Sequence, residues 1–511
     1  MKKQSLIKGS LILGVSGILT RFLGLFFRWP LIMLIGDEGV GYYQMSYPLY
    51  MFFVAMASGI PVAMSKMVSE KNAKGDIEGS FEVTKEASML MLIIGTGTSV
   101  ILFMFATQIV KFLQWDYRAY YSLIGISFAP AIISMMTVFR GFFQGLQNMT
   151  PSAISQILEQ IGRVVVGVGL AIILLPKGIE YSAGGAAFGA SAGGLIGGLY
   201  LAFKYHKVKK ELGIKKIKTN PAILNKILLI AVPISIGTTV GTIMSLIDSI
   251  LVPQKLLSAG FTNQQSTILY AQLTGKAAVI VNIPLTLSMA LCTSLIPIIA
   301  ESYILKRKKE VDAKINLSIK LSAVIAMPCF LGLFFMAEPI MKFIFPGRFE
   351  GVEILKYLSI SVPFIIVTQT TTSILQSVGS YITPVINLLI GCVVKVILTV
   401  ILVPISSINI YGAVMASIGA YIVTTVLNIV SMKIKVKIKL NFYENFIKPS
   451  LGSAFMMWSV VIIYGNLYKG TGSNSLSCLV SISIGAIIYL ISIFALKIFN
   501  IDELKNRFRK V

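Results

Sequence analysis

In the stretch LIKGSLILGVSGILTRFLGLFFRWPLIMLIG, Arg21 and Arg28 stand seven residues apart in an apolar run that holds no acid. Seven residues is close to two helical turns, so both guanidinium groups fall on one face, about 10 Å apart. An arginine at the centre of a membrane-spanning helix costs roughly 2.5–3.5 kcal/mol on insertion scales, so it normally faces water or a counter-charge. Two stacked cations with no acid on their own helix point to a hydrated cavity that receives an anion. Snorkelling toward the headgroups accounts for Arg28 better than for Arg21.

The other embedded charges form a short set. Glu159 and Arg163 lie four residues apart in the favourable acid-before-base order, which suits an intrahelical pair and leaves Arg163 a candidate anion ligand. Lys395 takes the matching place in the second half of the chain, with Gly391 rather than an acid four residues earlier. Lys276 stands in a polar patch with Gln272 and Thr274, where snorkelling and cavity lining are both open. Asp248 suits neutralisation of Arg28 or Lys276, with help in binding a coupling cation as the second role. Substrate contact is thus expected at Arg21, Arg28, Arg163, Lys276 and Lys395, and charge balance or coupling at Asp248 and Glu159. The set is cationic overall and suits an anionic substrate.

Catalytic patterns are missing. Gly189-Ala190-Ser191-Ala192-Gly193 has the form of a serine-nucleophile turn, but it sits in a glycine-rich apolar helix, and the single histidine, His206, lies in a basic loop. Helix packing is the better account. No phosphate-binding loop, H-E-x-x-H or Cys/His cluster occurs. The four cysteines, Cys292, Cys329, Cys392 and Cys478, are scattered without paired spacing and read as packing residues. No enzyme activity, metal or cofactor is expected, and any driving force must be a sodium or proton gradient, the membrane potential or removal of product on the far side.

The elements that hold these residues follow from composition. Of 511 residues, 55% are hydrophobic and 13% charged, against about 25% charged in soluble domains, and the mean hydropathy is +0.82. Apolar runs long enough to cross a bilayer recur along the whole chain. The expected fold is an all-α polytopic membrane protein with fourteen transmembrane helices, centred from near residue 22 to near residue 486. The formal charge of +24 does not signal nucleic acid, because the cations cluster on one side. Lys204 to Lys226, Lys306 to Lys320, Lys433 to Lys439 and Lys505 to Lys510 all fall on the side of Lys2, Lys3 and Lys8. Opposite loops are cation-poor, as at Asp37 and Glu38. This is the positive-inside pattern, with both termini cytoplasmic in the cell membrane; contact with anionic lipid is secondary. The N-terminal apolar run is interrupted by Arg21 and lacks a small-residue cleavage site, so it reads as a retained first helix.

The first twelve spans read as two copies of a six-helix unit. Gly59-Ile60-Pro61 corresponds to Leu295-Ile296-Pro297, Lys111 to Lys342, Gln144 to Gln376, Thr150-Pro151 to Thr383-Pro384, Arg163 to Lys395, and Gly185-Ala186 to Gly412-Ala413, at offsets of 227 to 236 in unchanging order. Six spans per copy give both copies one orientation, the parallel type of repeat that places a substrate path between halves. The expected organisation is a first six-helix bundle over 1–220, a second over 221–440, and two further helices with a basic cytoplasmic tail over 441–511.

Lys8-Gly9-Ser10, Thr20-Arg21-Phe22-Leu23-Gly24, Arg28, the run Leu34 to Gln44 and Gly59-Ile60-Pro61 together resemble the family of stage V sporulation protein B. That family is in the polysaccharide-flippase branch of the multidrug/oligosaccharidyl-lipid/polysaccharide exporter superfamily. The resemblance covers essentially the whole chain, and only its N-terminal motif is specific to the branch. It implies a lipid-linked oligosaccharide flippase, similar to the lipid II flippases and serving spore-cortex peptidoglycan, with a lipid-linked sugar as substrate and membrane lipids and cell-wall synthesis enzymes as partners. Lipid II flippases carry Ser-Arg-x-x-Gly and a second arginine in the first helix; Thr20, Arg21, Gly24 and Arg28 match, with the second arginine one residue late. They carry arginine in span two, where this chain has Met51-Phe52-Phe53, and a basic residue in span eight, roughly where Lys276 stands. A cation-coupled multidrug exporter is the competing transporter reading, and it wants acids in the cavity. A membrane scaffold for cell-wall enzymes would want soluble docking loops that are lacking here.

Overall fold

The computed structural model describes residues 6–214, 217 and 220–499; side chains at positions 6–8, 10, 11, 18, 21, 25, 290, 293 and 294 lie outside that description. All regular elements among the described residues are helices. The chain divides into two compact units, Met1–Ala271 and Gln272–Val511. The first holds α1 (Leu6–Ala57), α2 (Gly59–Ala73), α3 (Ile77–Met104), α4 (Ala106–Phe112), α5 (Ala119–Ser127), α6 (Ala129–Gly145), α7 (Thr150–Leu174), α8 (Ile179–Glu211), α9 (Pro221–Ser258) and α10 (Asn263–Ala271). The second opens with a π-helical turn, Gln272–Ala277. It continues through α11 (Ala278–Ile304), α12 (Lys308–Phe335), α13 (Ala337–Ile344), α14 (Val352–Ser359), α15 (Ser361–Ser377), α16 (Ile382–Leu402), α17 (Ile410–Val436), α18 (Lys448–Thr471) and α19 (Asn474–Ala495).

Twelve helical segments are long and apolar enough to cross a membrane, or thirteen with the bent pair α14–α15 as one span. The chain is a multi-pass helical membrane protein. That tally takes Ile12–Ala73, 62 residues, as one segment. A straight helix of that length would measure on the order of 90 Å, about three times a hydrocarbon core. Instead, Gly36 adopts φ 68° and ψ −174°, and the Phe27 and Tyr43 rings on either side of it stand 5.7 Å apart. A straight helix would separate those positions by about 24 Å. The segment therefore folds back at Gly36, where glycine tolerates the positive φ. The fourteen spans expected from sequence are reached only with the two arms counted separately.

Close backbone contact builds the first unit. Gly185, Gly189, Gly193 and Gly197 recur every fourth residue on α8. A Cβ at Gly189 would stand 2.7 Å from the Gly167 Cα, one at Gly197 would stand 2.8 Å from the Ser155 carbonyl oxygen, and one at Gly193 would strike the Glu159 carbonyl. Hydrocarbon drives no association between apolar helices, so tight van der Waals packing along such a stripe must hold α7 to α8. Beside it, Phe81, Phe142 and Tyr205 close an aromatic core with centroids 4.9–5.3 Å apart. Helices α9 and α10 belong to this unit although the repeat reading divides the chain at 220. The Gly59 N–H donates to Ser235 Oγ at 3.1 Å, the Ser58 and Thr238 hydroxyls are 2.7 Å apart, and the Tyr270 hydroxyl donates to the Gln44 carbonyl at 3.2 Å. Between α2 and α3, Asp76 caps the next helix by accepting from the Gly79 N–H at 2.8 Å. Lys71 donates to the same carboxylate, and with Gly79 holds it below the usual carboxylate range. A depressed carboxylate pKa stabilises the cap above the ordinary pKa and is lost as pH falls through the lowered one.

The second unit has two apolar clusters. One joins α11, α12, α15 and α17 around Ile299, Ile315, Ile374 and Met432; the other joins α12 and α13 to α18 and α19 around Met336, Met457, Cys478 and Ile493. A neutral polar seam runs beside the first. Asn387 on α16 donates to Asn428 on α17 at 2.9 Å, and Asn428 donates to Thr371 and Thr372 on α15 at 3.2 and 3.1 Å.

The glycine stripe yields a stability expectation. Gly193→Leu should overpack the α7–α8 contact by about 1–3 kcal/mol and lower the thermal unfolding midpoint of the purified protein. Gly14→Leu, where an added Cβ meets nothing within 4 Å, should leave it nearly unchanged. Equal midpoints would show that the contact is not close in the folded protein.

Candidate functional site

The densest embedded charge in the first unit lies on α7. The α7 helix runs parallel to the first arm of α1: the Ser16 hydroxyl donates to Gln156 Oε1 at 3.0 Å, and eleven residues further along both helices a Cβ on Gly167 would stand 2.8 Å from Phe27. Glu159 and Arg163 occupy the intervening turns. The intrahelical pair forms, with Arg163 Nη2 3.5 Å from Glu159 Oε1, and each side chain is more than four-fifths buried. A second cation shares the carboxylate. Arg140, from α6, donates from Nη2 to Glu159 Oε2 at 2.9 Å and from Nε to Ser155 Oγ at 2.8 Å. Two guanidinium groups thus share one carboxylate.

The second arm of α1 supplies the facing surface. Tyr43, Tyr47 and Tyr50 form a ladder with ring centroids 5.5 and 5.7 Å apart, and all three lie within electrostatic range of Arg163. Arg28 is half-buried and lies within electrostatic range of Tyr43. The fold-back at Gly36 therefore turns tyrosine rings toward the arginines of α1 and α7. The Arg21 backbone belongs to α1, and its side chain lies outside the described residues.

The remaining candidates occupy other places. Asp248 is half-buried on α9, next to Ser249, whose carbonyl accepts from Trp115 Nε1 at 2.7 Å. In the second unit, Lys276 is 1% exposed within the π-helical turn. Its ammonium donates to the Arg348 carbonyl at 2.7 Å, stands 3.3 Å from Glu350 Oε2, and lies 5.8 Å from the Phe345 ring centroid. It ties the turn to the loop after α13. Lys395 is 3% exposed on the face of α16 that also buries Asn387, Cys392 and Thr399. Ser191 is fully buried in the glycine stripe, with His206 some fifteen residues further along the same helix, so the two do not form a nucleophile–base pair.

Sequence reasoning missed three features. Arg140 gave no local signal, since its partners lie fifteen and nineteen residues on, across a turn. The tyrosine ladder was legible only as a four- and three-residue spacing, the usual form of an apolar helix face. At the far end of the hairpin, Arg118 binds Asp116 side-on through Nε and Nη2 at 3.2 and 3.1 Å. It also reaches Glu38 at 2.7 Å, and Glu38 accepts from Tyr42 at 2.7 Å and from Gln264 at 2.8 Å. The hydrogen bond to Asp116 strengthens the hold of Arg118 on its proton.

The family described as "Polysaccharide biosynthesis protein" matches residues 6–303, and that described as "MatE" matches residues 273–401. Stage V sporulation protein B of Bacillus subtilis (strain 168) is 30% identical, over 99% of this chain and 98% of that protein. Lipid II flippase MurJ of the same organism is 27% identical, over 84% of this chain and 83% of that protein. A solved structure titled "Lipid II flippase MurJ, inward closed conformation" has a TM-score of 0.72 at 18% identity, over 94% of this chain and 98% of that one, and so shares the fold. The helical architecture, the family match over 6–303 and the full-length relative agree: the chain belongs to the polysaccharide biosynthesis protein family of the multidrug/oligosaccharidyl-lipid/polysaccharide exporter superfamily.

Proposed function

We propose that the chain flips an anionic polyprenyl-pyrophosphate-linked glycan, a lipid II-type precursor for spore-cortex peptidoglycan, from the cytoplasmic to the outer leaflet of the cell membrane by alternating access. The observation that carries this reading is the local excess of guanidinium over carboxylate around α7, with Arg140 and Arg163 on one Glu159 and Arg28 nearby. A cationic interior attracts an anion and repels the organic cations of a multidrug exporter. The lipid-linked substrates in the names of relatives fit the same sign of charge.

In this reading Arg21 and Arg28 hold the pyrophosphate by two-pronged hydrogen bonds. Arg163 in the first unit and Lys276 and Lys395 in the second are further contacts for the anion, and Asp248 balances charge or binds a coupling cation. The chain crosses the membrane fourteen times with both termini cytoplasmic. The repeated halves, 1–220 and 221–440, form the two moving bundles, and the helices of 441–511 pack outside them. Cell-wall synthesis enzymes act as partners on the delivered lipid.

Reconstitution into vesicles with defined lipid-linked sugars tests the reading; transport of an organic cation but of no polyprenyl-linked sugar overturns it. Arg21→Lys or Arg28→Lys should lower transport about tenfold, because lysine keeps the charge and loses the planar fork. The Arg21→Ala, Arg28→Ala double variant should lose about a hundredfold or more at normal membrane abundance. Full activity of the double variant would remove both residues from the site.

The direction of transport yields an expectation about energy. A pyrophosphate-linked lipid carries negative charge outward from a negative interior, and the field favours this by roughly 2.3 kcal/mol per charge per 100 mV. Initial rates in vesicles clamped at zero potential, without sodium or proton gradients, should therefore fall severalfold. Unchanged rates there would leave product consumption as the driving force.

A further inference from the structure

Arg118 and Arg163 make an internal comparison within one unit. Arg118 engages Asp116 with its whole side-on edge, Nε to Oδ1 at 3.2 Å and Nη2 to Oδ2 at 3.1 Å. Arg163 has the same edge, but its Nη2 is 3.5 Å from Glu159 Oε1 and its Nε is buried with no acceptor. The carboxylate is drawn the other way by Arg140, whose Nη2 donates to Oε2 at 2.9 Å and whose Nε is fixed by Ser155 at 2.8 Å. One carboxylate serves two guanidinium groups, and Arg140 has the tighter share. What remains is a net positive charge in an almost buried place, with two parallel N–H groups largely unused. That edge matches two oxygens of a tetrahedral phosphate better than it matches a spherical ion.

We propose that Glu159 is the resident counter-ion of an anion site on Arg163, and that a phosphate group of the carried lipid takes its place. The phosphate accepts from Nε and Nη2 of Arg163, while Glu159 stays with Arg140. Tyr43, Tyr47 and Tyr50 lie in electrostatic range of Arg163 and offer hydroxyls to the incoming group. Glu159 then sets affinity by competition: it keeps the empty site from holding other anions and helps expel the bound phosphate. This assignment rests on the proposed function and adds to it the residue against which the substrate competes.

The test uses the purified full-length chain in detergent, with polyprenyl pyrophosphate, inorganic pyrophosphate and unphosphorylated polyprenol as probes. The wild type should bind polyprenyl pyrophosphate best. Arg163→Lys should weaken that binding about tenfold, since it keeps the charge without the edge. Glu159→Gln should tighten it severalfold, a direction that a merely structural role would not produce. Failure of the wild type to bind polyprenyl pyrophosphate would overturn the proposed function itself. Binding by the wild type with Glu159→Gln unchanged or weaker would overturn the counter-ion assignment alone. Equal affinity for inorganic pyrophosphate, with the same response to both variants, would give the site to a free anion and overturn the lipid assignment. Should Glu159→Gln not fold, as judged by its unfolding midpoint, Arg163→Lys decides: an unchanged affinity overturns the proposal.

Discussion

A guanidinium buried among apolar helices must find an anion, because low dielectric magnifies both its attraction to a carboxylate and the cost of leaving it alone. For Arg140 and Arg163 this requirement is met by a single acid, Glu159. Glu159 lies one turn after Ser155 and one turn before Arg163 on α7, so the same helix face offers Arg140 a hydroxyl and a carboxylate oxygen. The α8 backbone packs along this same line of α7, where a Cβ at Gly197 would stand 3.5 Å from the Glu159 Cβ. Gly193 and Gly197 sit against the carbonyls of Glu159 and Ser155. The glycines set the helix separation, the separation sets where the carboxylate stands, and the carboxylate decides which arginine is tightly held.

Much of this was legible in sequence wherever the relation was local. The four-residue steps of Gly185 to Gly197 and of Glu159 to Arg163 repeat at helical period, so the stripe and the intrahelical pair could be read directly. The helical membrane class followed from composition alone. Contacts closed over long sequence distances were not legible. Lys276 is 72 residues from the carbonyl it caps, and its neighbours Gln272 and Thr274 said only that the patch was polar. Gly36 precedes Asp37 and Glu38, which suggested an exposed loop; one glycine at positive φ reverses an otherwise continuous helical run. Without that reversal the tyrosines at 43, 47 and 50 cannot be brought to α7, so their role stayed hidden in an ordinary apolar spacing.

The second unit buries two cations, Lys276 and Lys395, but it also carries a polar network of a different kind. In it, the hydrogen bonds from Asn387 to Asn428 and on to Thr371 and Thr372 join neutral groups across three helices. Such a seam gives up nothing when an ion arrives, and its natural effect is to fix helix register. The cluster on α7 is charged and incompletely satisfied, with one donor of Arg163 left over. A charged group with spare donor capacity responds to an anion; a closed neutral network does not. On electrostatic grounds the cluster on α7 is therefore a better place than the neutral seam to look for substrate-dependent change.

The incomplete pairing also answers a problem of assembly. Helix α7 must enter the bilayer carrying both Glu159 and Arg163, before α6 and α7 have packed. An isolated arginine at mid-helix is costly there, and an acid four residues earlier on the same helix offsets part of that cost without any tertiary partner. Once α6 docks, Arg140 takes the larger share of the carboxylate, and Arg163 is left loosely held in a place that would have cost more to enter alone. A fully satisfied pair would insert as well but would be inert afterwards, and a lone arginine would be reactive but poorly inserted. One acid shared unequally between two arginines meets both demands, which is why its position on α7 matters more than the number of cations around it.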